Sequence, residues 1–253
     1  DGAEDKATRP TGFGWVRNSI AIDKDGGIYA VSQDHMHKVI WTGAGFTKDA
    51  KAGAWTVPYS NSWGHGSGAT PSLMGFGLED QFVVITDGED LMNVVLFWRN
   101  EIPSDWTGLP ELPRRVAGSQ PANMGNPNLI NIQSEQSVVV AGYGALVVNN
   151  EPRNIPWWLP TRAKTLLISY LGSSPQHQPF GVQKFSWDPR SRMFKQAWVN
   201  RSVSSPSCVP IVSHQSGKVY LIGARQNQWT LEALDWQSGN SAFHSQIGNQ
   251  RYN

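Results

Sequence analysis

Two histidines separated by one residue form the first group in this sequence whose spacing suggests chemistry. His35 and His37 flank Met36, so in an extended segment, where side chains alternate, both imidazoles point to the same side. Asp34 precedes them, and His65 follows in a glycine-rich stretch. Imidazole and carboxylate ligands suit Zn²⁺ or another transition metal. The alternative is a solvated loop that contains histidine and binds no metal.

A second group consists of oxygen ligands. The acidic segment Asp87-Gly88-Glu89-Asp90 follows an apolar run, and Asn126 or Asn128 adds an amide oxygen from further along the chain. Carboxylate and amide oxygens are the ligands that Ca²⁺ prefers. The alternative is an acidic hairpin turn, because Asp and Gly are favoured in turns for conformational reasons alone.

Motifs for covalent catalysis are missing from the sequence. Gly66-Ser67-Gly68 lacks the Gly-x-Ser-x-Gly pattern, and residues 61–68 lack the Gly-Lys-Ser/Thr ending of a phosphate loop. Cys208 is the single cysteine and cannot form an internal disulfide. Four tryptophans fall in predicted loops and are candidates for stacking on sugars: Trp63, Trp106, Trp157 and Trp158.

Composition narrows the class of protein. The 253 residues carry a net charge of +1 with only 16% charged residues, which gives no indication of nucleic-acid binding. No apolar run reaches the roughly 18 residues of a membrane span. The first six residues are polar and form no signal peptide, although a signal removed earlier would leave no trace. The 12 tryptophans and the low charge favour an extracytoplasmic location.

The elements that must position these residues are short strands that recur in four units. Each unit has two short runs rich in Val, Ile, Leu and Tyr, then a third run and a weaker fourth, at a period of roughly 50 residues. In the third unit the predicted first pair is 126–132 with 137–142. The third run ends in tryptophan in every unit: Trp41, Trp98, Trp187 and Trp236. This pattern predicts an all-β fold, a β-propeller of four-stranded antiparallel blades, with a β-sandwich as the alternative.

The predicted organisation is an N-terminal arm over 1–14 and blades over 15–59, 69–118, 123–200 and 206–253. The third blade carries an insertion at 149–179, a length more typical of a functional or interfacial segment than of a neutral loop. Four blades make a narrow ring, and an unclosed ring exposes sheet edges. We therefore expect a further chain or a missing segment to complete the propeller, with a four-bladed ring as the alternative.

Propeller topology places the candidate residues on one face. The loop leading into the first strand of each blade and the loop between the second and third strands open together around the channel. This assignment predicts a rim of ligand-binding residues and, beside it, a group of metal ligands. The predicted ligand-binding residues are Asn18, Asp34, His35, His37, His65, Tyr143 and Arg225. The predicted metal ligands are Asp87, Glu89, Asp90 and Asn126, and the cofactor would be Ca²⁺ or Zn²⁺.

Two stretches resemble known propeller families. Ala233-Leu234-Asp235 followed by Gly239 resembles the Ala-Leu-Asp-x-x-x-Gly turn of quinoprotein-like (PQQ-like) blades. Ile20-Ala21-Ile22-Asp23 with Gly27-Ile28-Tyr29-Ala30 resembles blades of gluconolactonase and NHL-like propellers. The second resemblance implies a divalent ion at the channel mouth that polarises a lactone carbonyl. The first implies quinone chemistry, but the vicinal cysteine pair of quinoprotein dehydrogenases is impossible with one cysteine.

These observations favour a propeller binding module that recognises a small-molecule or protein ligand on its loop face. The alternative is a metal-dependent hydrolase of the lactonase or esterase type, with its ion on the acidic rim. A quinoprotein-like oxidoreductase is the third possibility.

Overall fold

The computed structural model describes residues 16–62, 64–132, 134, 136–159, 168 and 170–249, and the predicted arm at 1–14 lies outside them. Within these ranges the chain is almost wholly β-structure and forms four antiparallel sheets of consecutive strands. A 3₁₀ turn at Ala50–Ala52 is one of the few helical pieces. No helix in the described part of the chain is long and apolar enough to cross a membrane.

The strands follow one another in four groups along the chain. The first sheet contains β1 (Ala21–Ile22), β2 (Gly27–Val31), β3 (His35–Trp41), β4 (Phe46–Thr47) and β5 (Trp55–Pro58), with β4 and β5 both paired to β3. The second contains β6 (Ser72–Met74), β7 (Phe82–Thr86), β8 (Asn93–Trp98) and β9 (Val116–Pro121). The third contains β10 (Val139–Ala141), β11 (Gly144–Val148), β12 (Val182–Asp188) and β13 (Met193–Asn200). The fourth contains β14 (Ile211–Ser213), β15 (Lys218–Arg225), β16 (Gln228–Asp235) and β17 (Ser241–Asn249).

The sheets stand side by side in chain order. The first strands lie next to one another, since β10 contacts both β6 and β14. Ser72 Oγ donates a hydrogen bond of 2.6 Å to the main-chain oxygen of Val138, which links the second and third sheets at this inner side. Because neighbouring strands alternate in direction, one face of the molecule carries the loops that lead into each first strand and the loops between second and third strands. We call this the loop face.

The predicted hairpin of the third unit, 126–132 with 137–142, is wrong by one strand. The first strand is β10, and its partner is β11, joined through a two-residue turn at Gly142 and Tyr143. Gly142 takes a φ of 56° there, the left-handed region that such turns require. Most of the segment predicted as the first strand is a loop, in which Ile132 makes an isolated parallel bridge with Leu91.

Two interfaces between sheets contain the same pair of donor types, a lysine ammonium and a tryptophan indole nitrogen, on one main-chain oxygen. Between the first and second sheets, Lys38 Nζ and Trp55 Nε1 both donate to the main-chain oxygen of Arg99, at 3.2 and 3.1 Å. Between the third and fourth, Lys184 Nζ and Trp198 Nε1 both donate to the main-chain oxygen of Trp236, at 2.7 and 3.1 Å. In each sheet the lysine and the tryptophan are cross-strand partners.

The two lysines are buried, and each ammonium group lies over an aromatic ring. The distance from Nζ to the ring centroid is 5.5 Å for Lys38 over Tyr29 and 4.3 Å for Lys184 over Trp236. Burial lowers the pKa of both ammonium groups. Ring contact and carbonyl bonding offset part of the cost of removing these charges from water.

An aromatic cluster joins the second and third sheets instead. Trp187 lies edge-on to Phe82 and Trp98, with ring centroids 4.9 and 5.6 Å apart. Its Nε1 donates a buried 2.7 Å hydrogen bond to Oδ2 of Asp80, in the β6–β7 turn. Trp106, predicted as a loop residue for sugar stacking, belongs to this cluster and is 8% exposed, so that role is contradicted.

We expect Trp187→Phe to lower the free energy of unfolding by about 2–4 kcal/mol, because it removes the donor to buried Asp80 and leaves space in the cluster. Urea denaturation measures this loss. Trp158→Phe is the matched control: Trp158 is 65% exposed, and its replacement should change the free energy by less than about 0.5 kcal/mol. Equal effects of the two substitutions would contradict this account of the interface.

Candidate functional site

The structure places most of the predicted site residues at the loop face. Asn18 precedes β1, and His65 lies between β5 and β6. Four further positions on this face lie in the β7–β8 and β9–β10 connections: Asp87, Glu89, Asp90 and Asn126. Arg225 ends β15 beside the short turn into β16.

The paired histidines lie on a strand and not on a loop around the channel. His35 and His37 belong to β3, and their rings stack with centroids 6.0 Å apart. Lys38, the residue after His37, donates to the main-chain oxygen of Arg99 in the second unit. Because side chains alternate along a strand, the two histidines occupy the opposite face of the first sheet. His35 Nδ1 contacts Asp34 Oδ1 at 2.7 Å, and His37 Nε2 contacts Ser32 Oγ at 2.8 Å. The predicted position at the channel rim is therefore wrong for both.

The glycine-rich stretch after β5 is held by a polar network. Asn61 Nδ2 donates to the main-chain oxygen of Gln33 at 2.9 Å, while its Oδ1 accepts from the amides of Gly64 and Gly66. The Tyr59 hydroxyl donates to the main-chain oxygen of Ser32 at 2.7 Å. Asn18 is tied to the same stretch through its Nδ2, which donates to the oxygen of Ser67 at 3.0 Å. These bonds fix the loop shape with groups of the protein itself.

Asp87 closes the β7–β8 loop. Its Oδ1 accepts from the amides of Asn93 at 2.7 Å and Glu89 at 3.3 Å, and its Oδ2 accepts from Asn93 Nδ2 at 2.6 Å. Burial raises the pKa of this carboxyl to about 6. The Glu89 carboxylate accepts from the amide of Ser62 at 3.0 Å. Asp87 therefore stabilises its own turn, which agrees with the acidic hairpin turn that the sequence offered as the alternative to a metal site.

Neither predicted metal group is assembled as a ligand cluster. Among the residues that the structure describes, no three His, Cys, Asp or Glu side chains come together in a way that could hold a metal ion. The zinc and calcium assignments remain predictions.

Tyr143 lies on the opposite face of the molecule. It was predicted to lie in the loop between the second and third strands, and this is wrong because the strands of that unit shift by one. It lies in the turn between β10 and β11, where its hydroxyl accepts from the amide of Asp80 at 3.0 Å. Its observed contact is therefore with the second sheet, on the side of the molecule opposite the loop face.

Arg225 lines a cleft. The cleft lies between the third and fourth sheets at the loop face and has a volume of about 630 Å³. Arg225 forms a two-pronged ion pair with Glu232, Nε to Oε1 at 2.7 Å and Nη2 to Oε2 at 2.9 Å. Thr230 Oγ1 donates to the same carboxylate at 2.6 Å. The rest of the lining is mainly amide and hydroxyl side chains: Gln178, Ser202, Gln226, Gln228, Ser245 and Gln246, together with Phe180 and His244.

The long β11–β12 connection supplies one wall of this cleft. Arg153 holds it by donating from Nε to the main-chain oxygen of Gln178 at 2.7 Å and by stacking on Phe180 at 4.6 Å from the ring centroid. Asn149 Nδ2 donates to the main-chain oxygen of Phe180 at 3.0 Å. These hydrogen bonds hold the wall through the main-chain oxygens of Gln178 and Phe180, and the side chains of both residues line the cleft.

Within the described ranges, three buried polar atoms near the cleft have no hydrogen-bond partner. Gln178 is 3% exposed, and its Nε2 has no hydrogen-bond acceptor. The hydroxyls of Ser173 and Ser204 are also buried and unpaired, and the main-chain oxygens of both residues bind the 224–227 segment. Buried donors without partners are rare in folded proteins and mark a place where a ligand or water supplies the acceptor. Sequence reasoning found Arg225 but missed Gln178, although it lies within the predicted insertion.

The pKa shifts of Asp87 and His37 make the free energy of unfolding change with pH in opposite directions. The raised pKa of Asp87, about 6 against 3.8, means that the folded state binds more protons, so the free energy of unfolding falls as pH rises between these values. Burial lowers the pKa of His37 from 6.5 to about 4, so the unfolded state binds more protons and the free energy of unfolding rises with pH. Between about pH 4 and 6 the two contributions to the free energy of unfolding offset each other.

We therefore expect Asp87→Asn to make the slope of unfolding free energy against pH more positive than in the wild type between about pH 4.5 and 6. His37→Gln should make that slope more negative. Urea denaturation at several pH values measures both, with Gln215→Leu, an exposed residue without a titratable group, as the control with an unchanged slope. Wild-type slopes in both variants would refute the assignment.

Comparison with known proteins supports the fold. No protein-family model matches the chain. An uncharacterized protein of Archaeoglobus fulgidus is 39% identical over 239 residues, which cover 92% of this chain and 45% of that protein. The chain thus spans about half the length of this relative.

Two solved structures share the architecture at low sequence identity. The periplasmic gluconolactonase PpgL of Pseudomonas aeruginosa superposes with a TM-score of 0.54 at 14% identity, covering 93% of this chain and 55% of that one. Sqt1 of Saccharomyces cerevisiae superposes with a TM-score of 0.52 at 8% identity, covering 92% and 48%. Together with the four antiparallel sheets in chain order, these likenesses confirm the predicted fold class: the chain has the β-propeller fold.

Proposed function

We propose that the chain is part of a propeller binding protein whose ligand site is the cleft between the third and fourth sheets at the loop face. The observation that carries the proposal is the Gln178 amide nitrogen, which is buried at the cleft and has no acceptor among the residues that the structure describes. An unpaired buried donor costs about 1–3 kcal/mol, and a ligand oxygen in the cleft would recover this cost.

The lining favours a neutral ligand with many oxygens. Arg225 and Glu232 cancel each other's charge within 3 Å, so the cation at the cleft is already paired. The surrounding glutamine, serine and threonine side chains offer amides and hydroxyls, and Phe180 adds an apolar surface. Amides and hydroxyls around one aromatic ring match the hydroxyls and the apolar ring face of a sugar. We therefore propose a carbohydrate as the ligand class.

Exposed tryptophans in the same connection support this choice. Trp157 is 94% exposed and Trp158 is 65% exposed, and both precede the cleft wall in the β11–β12 connection. The two tryptophans are adjacent, and contiguous exposed apolar surface, unlike single exposed residues, marks interaction sites. Trp63, the remaining loop tryptophan of the predicted set, lies outside the described residues.

The lactonase alternative has less support. PpgL is a gluconolactonase, but its likeness to this chain is at the level of the fold. The oxygens of Asp87 accept hydrogen bonds from its own loop, and among the described residues no three His, Cys, Asp or Glu side chains come together as a metal site. We retain an extracytoplasmic location as part of the proposal, in keeping with the periplasmic location in the name of PpgL.

Probing a glycan array with the labelled protein tests the function. We expect the wild type to retain one class of glycan and Gln178→Leu to bind it at least about tenfold more weakly, because a lost buried hydrogen bond is worth about 1–3 kcal/mol. Replacing an unpaired buried amide by an apolar side chain should leave thermal stability unchanged or raise it. The variant therefore separates ligand binding from folding.

Gln215→Leu is the matched control, because Gln215 is exposed in the β14–β15 turn on the opposite face. Its glycan binding should equal that of the wild type. If no glycan is retained, or if Gln178→Leu binds as tightly as the wild type, the proposal fails.

A further inference from the structure

A second cleft lies between the third and fourth sheets, on the side of the molecule opposite the loop face. Its volume is about 440 Å³, and it shares no lining residue with the cleft of the proposed function. Lys184 lines it with a side chain that is 4% exposed, so we call it the Lys184 cleft. Its other polar side chains are those of Tyr143, Ser186, Ser213, His214 and Gln237.

The first sheet contains an equivalent of Lys184, which shows what a lysine in this place requires. Lys38 and Lys184 occupy the same position in the strand register, and each side chain passes over a glycine of the preceding strand. A Cβ at Gly27 would lie 2.9 Å from Cε of Lys38, and a Cβ at Gly144 would lie 2.8 Å from Cε of Lys184. The two ammonium groups can therefore be compared directly.

Beside Lys38 the protein supplies both a second acceptor and a counter-charge. Lys38 Nζ donates to Asn100 Oδ1 at 3.1 Å in addition to the main-chain oxygen of Arg99. The Asp23 carboxylate lies over the same glycine, since a Cβ at Gly27 would come within 2.5 Å of its Oδ2. Burial lowers the pKa of Lys38, and the charge of Asp23 counteracts this lowering.

Both of these groups are missing beside Lys184. An ammonium group carries three N–H donors, and among the described residues Lys184 has one hydrogen-bond acceptor, the main-chain oxygen of Trp236. Ala141 pairs with Gly144 at the register position that corresponds to Asp23, so a methyl group stands where the first sheet has a carboxylate. The lysine therefore borders the cleft with donors that the protein leaves unused.

The nearest counter-charge is already engaged. Burial lowers the pKa of Lys184, and the charge of Asp235 counteracts this lowering. Asp235 Oδ1 accepts hydrogen bonds from the amides of Gln237 and Ser238 at 3.1 and 2.8 Å, in the turn after β16. The lining of the Lys184 cleft contains no carboxylate.

We propose that the Lys184 cleft binds a small organic carboxylate, whose oxygens accept hydrogen bonds from the Lys184 ammonium group. The ligand takes the place that Asp23 and Asn100 fill at the first interface. Charge-assisted hydrogen bonds of this kind are roughly twice as strong as neutral ones. The cleft has the volume of a small-molecule site, and Trp236 and Val212 offer contacts to the apolar part of the ligand.

Saturation-transfer NMR tests the site, with benzoate as the probe and benzyl alcohol as its uncharged match. We expect the wild type to bind benzoate at least about tenfold more tightly than benzyl alcohol. Lys184→Met should weaken benzoate binding at least about tenfold, because it removes the charged donor and keeps a side chain of similar length. Circular dichroism and thermal unfolding check that the variant folds.

Two further variants sharpen the test. Ala141→Asp introduces the carboxylate that the first sheet has at this register position. It should occupy the place of the ligand and weaken benzoate binding at least about tenfold, although the lysine is retained. Lys38→Met is the matched control at the first interface, and Lys195→Met, an exposed residue of β13, is the control at the surface. Both should bind benzoate as the wild type does.

The proposal fails if the wild type binds no benzoate or binds benzyl alcohol equally well. Wild-type affinity in folded Lys184→Met or Ala141→Asp protein would place the binding elsewhere. Displacement of benzoate by inorganic phosphate as readily as by acetate would contradict the carboxylate class. If Lys184→Met does not fold, Ala141→Asp decides the question alone.

Discussion

The rest of the structure depends on two main-chain carbonyl groups, those of Arg99 and Trp236, each of which connects two neighbouring sheets. Each receives one lysine and one tryptophan donor from the preceding sheet. A buried ammonium is tolerated only where such acceptors and rings surround it, so these contacts specify how neighbouring sheets stack. Gly144 shows how tight the second of these interfaces is, because a Cβ there would lie 2.7 Å from the Trp236 ring. The stacking in turn decides which loop ends come together.

The polar groups of the four units are used in two different ways. In the first two units, side chains such as Asn61 and Asp87 spend their hydrogen-bonding capacity on their own loops. In the last two units, Gln178, Ser173 and Ser204 each have a buried polar atom without a hydrogen-bond partner among the described residues, as Thr86, Trp98 and Arg99 do in the second unit. A donor committed to its own loop adds rigidity, whereas an uncommitted donor in a cleft adds affinity for a ligand. Gln178 is the one of these residues that lines the cleft of the proposed site.

The fold was largely predictable from the sequence because local patterns agree with the tertiary structure. Alternating apolar runs and turn residues located the strands of the first, second and fourth units. The third unit failed because the segment 126–132 resembled a strand, while the run that forms β11, between the predicted second strand and the predicted insertion, was not predicted as a strand. That shift of one strand also carried Tyr143 to the opposite face.

Site residues were less predictable because their roles depend on long-range burial. The alternation of His35 and His37 was correctly expected, but only the stacking of the sheets shows which face of β3 they occupy. Asp87 has the same residue type whether it binds an ion or closes a turn, and its three loop donors decide in favour of the turn. Gln178 carried no signal at all, since an unpaired amide can be recognised only when every neighbour is known.

The recurring tryptophan at the end of the third strand combines local and long-range information. As a repeat it correctly indicated blades, yet the four side chains do not share one environment. Trp98 packs towards the following sheet, against Trp187, whereas Trp187 and Trp236 pack towards the preceding one. A tryptophan at this position can thus be buried by either neighbour, provided that a neighbour is present on the side to which it points. Trp41 points away from the second sheet and is 45% exposed, and none of the apolar clusters of the described residues covers it on that side.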